Sequence, residues 1–578
     1  MPTASPSSVS SLPRSSLPIC IVITIDTFCA ACHHWAKRQE RAVPGQLFYG
    51  GPIVTMTPKA GAARPESLLV QEGRIAFVGS LGDARAMAGR DVVDIALEGR
   101  ALLPGFIDAH LHPLPMMFFA ASADLDGAHT LAEVRDRLRR QATVLTTGEW
   151  LVAVQFETNR LAADERLDAT MLDAWFPDLP VLIYTRDGHC VICNSQVLAA
   201  MAFDAGTADP PGGTIGRDAA GLPDGCFYEK AVGLPLAAKP GPSAERLLAA
   251  GERLFERMAQ AGVTSIGAML QSDDEGPGGA AARRETRAMP MLRHRIPQSI
   301  YAIVIGRSLD GIRSLAGSAL DDPSAGTRAR AIKIFADGTF GSCTACMTEP
   351  YADNSCTHGY LTLAPEDIYA RMEAAHVAGY QICIHAIGDS GIATCVDLFE
   401  RLLTAHPRDD HRHRIEHASI ADRALIARIK AIDLCICTQP LFIRSERAWL
   451  PTRLGAARVA HAYPFRDFLD AGIVVAGSSD APIEATDVIA ALDFAVNRGG
   501  FYPEQGVTVA EALAMYTRNA AFLQFEEQEK GTLEVGKRAD LVILDRDPLA
   551  IDPAAIGDLR VCATMIGGRM IDAGEQAA

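Results

Sequence analysis

From Leu102 onward the apolar residues fall into short runs closed by Gly or a polar residue. Longer stretches rich in Ala, Leu, Arg and Glu separate them. Short buried runs read as strands, and the spacers read as helices. Their alternation predicts βα units on a parallel sheet. The predicted strands are Leu102–His110, Thr264–Met269, Ser299–Ile305, Ala331–Ala336, Gln381–Ala386, Arg414–Ala418, Leu434–Thr438 and Ile473–Gly477. Eight such strands predict an α/β fold of the (β/α)8 TIM-barrel type.

The two ends of the chain have a different texture. "QLFYGGPIVTM", "SLLVQEGRIAFVG" and "DVVDIALEGR" near the start, and "GTLEVGKRADLVILDRD" and "VCATMIGGRMID" near the end, are rich in β-branched residues and Gly turns. Both ends are therefore expected to build one small β-sandwich domain, since domain termini commonly lie together. The predicted organisation is an atypical, disordered leader over 1–45 and the first part of the sandwich over 46–101. The barrel follows over 102–530 with an insertion at about 113–239, and the rest of the sandwich over 531–578. No internal repeat is evident.

Composition narrows the function classes. With 54 basic and 70 acidic residues the net charge is −16, which argues against a nucleic-acid surface. No stretch approaches a membrane-spanning length of about 20 apolar residues. "ICIVITI" in the leader is too short to span and makes a poor export signal. A cytoplasmic protein acting on a small-molecule substrate is expected, with no membrane partner and with a homo-oligomer left open. Fourteen cysteines are too sparse for a disulfide scaffold and read mainly as buried thiols. "CAACH", Cys29 to His33, matches the c-type haem attachment pattern but has no accompanying axial-ligand context.

The candidate chemistry lies at the strand ends. "LLPGFIDAHLHP" ends an apolar run with His110 and His112, which strand alternation points the same way. Two imidazoles held at short range suit zinc or a similar divalent ion. Lys333 in "AIKIFADG", His385 in "ICIHAIGD", His417 in "RIEHAS" and Asp480 in "VVAGSSDAP" are further polar residues at the ends of apolar strands. All these ends share the barrel face where active sites form. Gln439 in "TQPLF" is placed to line the mouth as a substrate contact. Glu416 alternates with His417 and is expected to face the outer helices.

These motifs, with "IKIFADGTFGSCTA", "AGSSDAPIE" and "KGTLEVGKRADLVILDRDP", resemble the amidohydrolase superfamily. Within it they resemble amidohydrolase family 3, the YtcJ-like and N-substituted formamide deformylase-like branch. The likeness runs from about Gln46 to the C-terminus. It implies metal ligation by His110, His112, Lys333, His385, His417 and Asp480, with one or two divalent ions and Lys333 N-carboxylated. It also implies that Asp480 shuttles the proton during hydrolysis of a non-peptide carbon–nitrogen bond. "RDGHCVICNS" resembles a family segment near the pocket, which makes His189 and Asn194 candidate substrate contacts, although the thiols there depart from the family's pattern. The competing readings are a superfamily hydrolase of another bond type, a non-catalytic regulatory protein on the same barrel, and a haem protein.

Overall fold

The computed structural model describes residues 45–572, apart from 59–63, 90, 158–160, 162–164, 187–189, 205, 211–212, 239–241 and 277–281. The leader with its Cys29–His33 motif, and His189, lie outside the described residues. The described residues divide into two compact units, one holding residues 121–247 and the other residues 45–120 with 248–572.

The larger unit carries a parallel eight-stranded sheet, a TIM-type barrel. In chain order its strands are Phe106–Leu111, Val263–Gln271, Ser299–Ile305, Thr327–Phe335, Gln381–Ala386, Arg414–His417, Cys435–Thr438 and Val475–Gly477, here called strands one to eight. Strands one to eight are neighbours in sequence order, as expected for successive βα units. Among the described residues strands eight and one share no ladder of their own and are bridged in another way. At the C-terminal end, Asp480 N–H donates to His110 O and His112 N–H to Ala481 O, both at 2.8 Å. At the other end a segment after strand eight acts as go-between. Ile107 N–H donates to Tyr516 O at 2.8 Å, and the Asn519 amide donates to Val475 O at 2.9 Å.

The predicted first strand is two strands. Ala101–Pro104 pairs antiparallel with Leu541–Leu544 in a small sheet, and Phe106–Leu111 opens the barrel. The break is Gly105. Its N–H bonds Asp540 O, while the next N–H, of Phe106, bonds Gly262 O. A Cβ on Gly105 would meet the Thr264 side chain at 2.3 Å, so only glycine lets the chain cross between sheets there. An unbroken apolar run cannot reveal such a change of partner.

Two four-stranded sheets form the small domain. Gly45–Tyr49, Ser67–Gln71, Arg74–Gly79 and Val92–Ala96 make one, and Ala101–Pro104, Leu541–Leu544, Val561–Ile566 and Arg569–Asp572 the other. Phe48, Leu68, Val70 and Ile75 of the first pack with Leu102, Leu541, Ile543 and Met565 of the second in one buried core, so both chain ends build a β-sandwich.

The unit of residues 121–247 carries a six-stranded sheet with its own core, which includes Leu138, Leu151, Phe156, Leu172, Val181 and Ile183. Among the described residues no helix is long and apolar enough to cross a membrane.

Candidate active site

Four imidazoles and one carboxylate meet at the C-terminal end of the barrel. Ring centroids step from His112 to His110 in 5.5 Å, to His417 in 5.4 Å and to His385 in 4.5 Å. Asp480 Oδ1 lies 3.2 Å from Nε2 of both His110 and His112. A ring nitrogen each of His110 and His417 and an Asp480 oxygen all lie within 4.8 Å of one another.

The backbone turns these groups inward by leaving the pleat. His417 has φ of 72° and Asp480 φ of 57°, in the left-handed region that β-carbon-bearing residues seldom occupy. This twist corrects the expectation for Glu416. Alternation would send it outward, but the left-handed step at His417 lets both residues serve the barrel interior. Glu416 is fully buried, with Oε2 2.7 Å from His110 Nδ1 and Oε1 accepting from Arg414 Nε at 2.6 Å. Arg414 also donates to Ala109 O at 3.1 Å. Burial works against the Glu416 charge, but the Arg414 guanidinium beside it holds its carboxyl well below the usual range.

Hydrogen bonds fix which nitrogen of each ring is free. Glu416 takes the Nδ1 proton of His110 and leaves Nε2 facing Asp480. At His417 the chain of donors runs from Ser478 Oγ to Thr438 O at 3.2 Å, and from Gln439 Nε2 to Ser478 Oγ at 3.0 Å. Gln439 Oε1 therefore accepts the Nδ1 proton of His417 at 2.8 Å, and Nε2 is free. His385 is held the other way round, its Nε2 donating to Gly338 O at 3.0 Å, so Nδ1 is free. Burial pulls the pKa of His112 and His417 down, and that of His385 to about 3 with help from Lys333. These three rings are neutral at neutral pH and offer lone pairs.

Lys333 is 1% exposed and lies on strand four, opposite Cys383 of strand five. Burial pulls its ammonium pKa down, against the opposing pull of Glu416 and Asp480. Neither Lys333 Nζ nor Asp480 Oδ1 has a hydrogen-bond partner of proper geometry. Buried polar atoms are nearly always paired. Two unpaired ones beside three neutral imidazoles form a donor set that fits a divalent cation. Burial works against the Asp480 charge as well, yet the facing imidazoles hold its carboxyl well below the usual range.

The structure thus gathers His110, His112, Lys333, His385, His417 and Asp480. Gln439 is committed at both ends to His417 and Ser478, so it orients a ring instead of offering a substrate contact. Asn194 caps the helix Ser195–Met201. Its Oδ1 accepts from Val181 and Val197 N–H, and its amide donates to Phe176 and Leu179 O, which uses its full bonding capacity. Sequence reasoning passed over Arg414 and Asp108 and turned Glu416 outward. The buried Asp108 Oδ1 accepts from the N–H of His110 at 3.3 Å and of Ser479 at 3.0 Å, which ties strand one to the loop after strand eight. The available signal was a charged residue two positions before His110, and others one and three positions before His417, inside apolar strands.

Fold and site together define a βα-barrel protein with a histidine–carboxylate centre at the C-terminal rim. The chain belongs to the amidohydrolase family, whose model matches residues 93–572, and it is a hydrolase of that superfamily. It is 29% identical to the putative amidohydrolase YtcJ of Bacillus subtilis over 91% of this chain and 99% of that one. It is 28% identical to the N-substituted formamide deformylase of Arthrobacter pascens, over 87% and 94%. Among solved structures, an uncharacterized metal-dependent hydrolase from Pyrococcus horikoshii matches with a TM-score of 0.72 at 26% identity, covering 88% of this chain and 99% of that one.

Proposed function

We propose that this chain is a zinc-dependent hydrolase of non-peptide carbon–nitrogen bonds, taking an amide, N-formyl or N-acyl substrate. The observation that carries the reading is Asp480 Oδ1, buried and without a hydrogen bond of proper geometry, between the Nε2 atoms of the H-x-H pair. Similarity to an N-substituted formamide deformylase supports the bond class.

His110, His112, His385, His417 and Asp480 would hold the ion, in keeping with the nitrogen and carboxylate donors that zinc prefers. When bound, such an ion supplies a nucleophilic water near neutral pH and polarises the carbonyl under attack. Asp480 takes the proton of the attacking water and returns it to the departing nitrogen. The Gln439 and Glu416 contacts fix the tautomers of His417 and His110, so their free nitrogens hold direction through the cycle. Lys333 is buried without a partner, which disfavours its ammonium form. A neutral amine there would add carbon dioxide and give up one proton, and the carbamate anion so formed would offer oxygen donors to a divalent ion in place of a cation.

The test is a screen of zinc-loaded and chelator-stripped protein against N-formyl amines, N-acyl amino acids and carbamates, with metal content measured by elemental analysis. Metal-dependent release of amine is expected. A chain that binds no stoichiometric divalent ion, or binds one and releases no amine across the panel, would overturn the proposal.

A further inference from the structure

Four of the eight segments that leave the barrel rim, those after strands one, four, five and eight, carry no Lys or Arg near it, and Arg307 just after strand three is held by Asp274 and Glu275. Between His112 and the end of the next helix at Ala120, "PLPMMFFA" holds neither charge nor polar side chain. After strand four no Lys or Arg occurs from Ala336 to Ala370, after strand five none from Ile387 to Glu400, and after strand eight none from Ser478 to Asn497. The segment after strand seven does carry arginines, but they are already engaged. Arg444 pairs with Glu484 at 2.9 Å and Arg453 with Asp353 at 2.7 Å. Arg447 donates to Gly499 O at 2.9 Å, and Arg458 donates to Glu349 and Pro350 carbonyls.

Apolar surface stands where a clamp for an anion would be. Phe442 lies flat on His417, with centroids 5.9 Å apart and planes 12° apart. Phe335, two residues beyond Lys333, has its ring 5.5 Å from His385 and 5.3 Å from Lys333 Nζ. Ile483 is tied to Asp480 by its own N–H donating to Asp480 O at 3.0 Å, and it is 57% exposed. A half-exposed isoleucine is unremarkable by itself. One set a turn away from the central carboxylate, on a rim that also bears two phenyl rings, is a contact surface for an uncharged group.

The nearest carboxylates do not call for a cationic substrate either. Glu484 is taken by Arg444 and Ser445. Asp337 accepts from the N–H groups of Cys346, Ile387 and Gly388.

We infer that the site selects amides whose substituents are uncharged and apolar and discriminates against N-acyl amino acids, with Phe335, Phe442 and Ile483 as the selecting surfaces. This rests on the carbon–nitrogen hydrolase reading and narrows it. A carboxylate on the substrate would lose water and find no arginine or lysine of these segments to replace it, a cost that falls on binding and turnover alike.

The experiment uses a matched pair differing by one carboxylate, N-(2-phenylethyl)acetamide and N-acetylphenylalanine, with zinc-loaded full-length protein. The uncharged compound should have the higher kcat/KM by at least about tenfold, the value of one unpaired polar group. Ile483→Arg, on an exposed side chain, should move the ratio toward the carboxylate by about tenfold through the new rim cation. Equal or better use of N-acetylphenylalanine by the native chain would overturn the inference while leaving the hydrolase reading intact. Were neither compound hydrolysed, the hydrolase reading would be in question, and calorimetric binding of the same pair would still decide this one. Tighter binding of the uncharged member supports it, and tighter or equal binding of the anion refutes it.

Discussion

Replacing Glu416 by Gln should damage the protein in two separable ways. The carboxylate is fully buried between Arg414 Nε at 2.6 Å and His110 Nδ1 at 2.7 Å. A Gln side chain can accept from only one of them. If its oxygen serves His110, its amide faces the guanidinium donor to donor. Removing one partner of a buried ion pair costs about 3–5 kcal/mol, because the remaining charge has nowhere to go. Arg414 is 0% exposed and its Nη1 already lacks a partner, so the cost should fall at the upper end. The second effect is on ligation. Losing the group that holds a ligating histidine's second nitrogen typically weakens metal affinity by about 10–100-fold. Chemical unfolding of metal-free protein reads the first effect, and competition with a chelator reads the second. The double substitution Arg414→Met with Glu416→Gln should restore much of the stability and none of the affinity. If Glu416→Gln leaves the unfolding midpoint and the metal affinity both within error of native, the buried relay is not what holds His110.

Asp480→Asn should retain bound metal yet lose hydrolysis by about 10²–10⁴-fold, since the amide cannot carry the proton; His385→Ala should lose metal instead, and elemental analysis beside an amide assay separates the two. Lys333→Ala should weaken metal binding and recover in part with added short carboxylate if the native side chain is a carbamate, whereas unchanged metal content and activity would remove Lys333 from the centre. Burial pushes the Glu285 carboxyl up to about 8 from its ordinary 4.5, so the folded form keeps a proton that the unfolded chain releases across that window. Stability should therefore fall as pH rises from about 4.5 to about 8 and level off above, and Glu285→Gln should flatten the slope by an amount on the order of a few kcal/mol in thermal unfolding. A slope unchanged in the variant would assign it to other groups.

Much of this architecture was legible because barrel physics writes itself into the chain. Strands closed off by helices leave apolar runs, and a His, Lys or Asp at the end of such a run has few reasons to be there. His110, His112, Lys333, His385, His417 and Asp480 stand out for that reason. What was hidden depends on departures from period-two alternation and on partner changes. The positive φ of His417 turns that residue inward beside Glu416, which strict alternation forbids. Gly105 divides one apolar run between two sheets. Gln439 and Asn194 carry side chains typical of ligand contacts, and only their bonding partners show that Gln439 orients a ring and Asn194 caps a helix.

The join between strands eight and one bears on durability. The other seven junctions of the barrel are strand ladders, while this one relies on bonds at Asp480, His112, Ser479 and Ile107 and on the Asn519 side chain. Local opening favours places with few bonds to break. Parting this seam would draw His110 and His112 away from Asp480 while the remaining ladders stay shut. On heating, the protein should therefore become inactive before it unfolds, and the amide hydrogens of His112 and Asp480 should exchange ahead of those inside the neighbouring ladders.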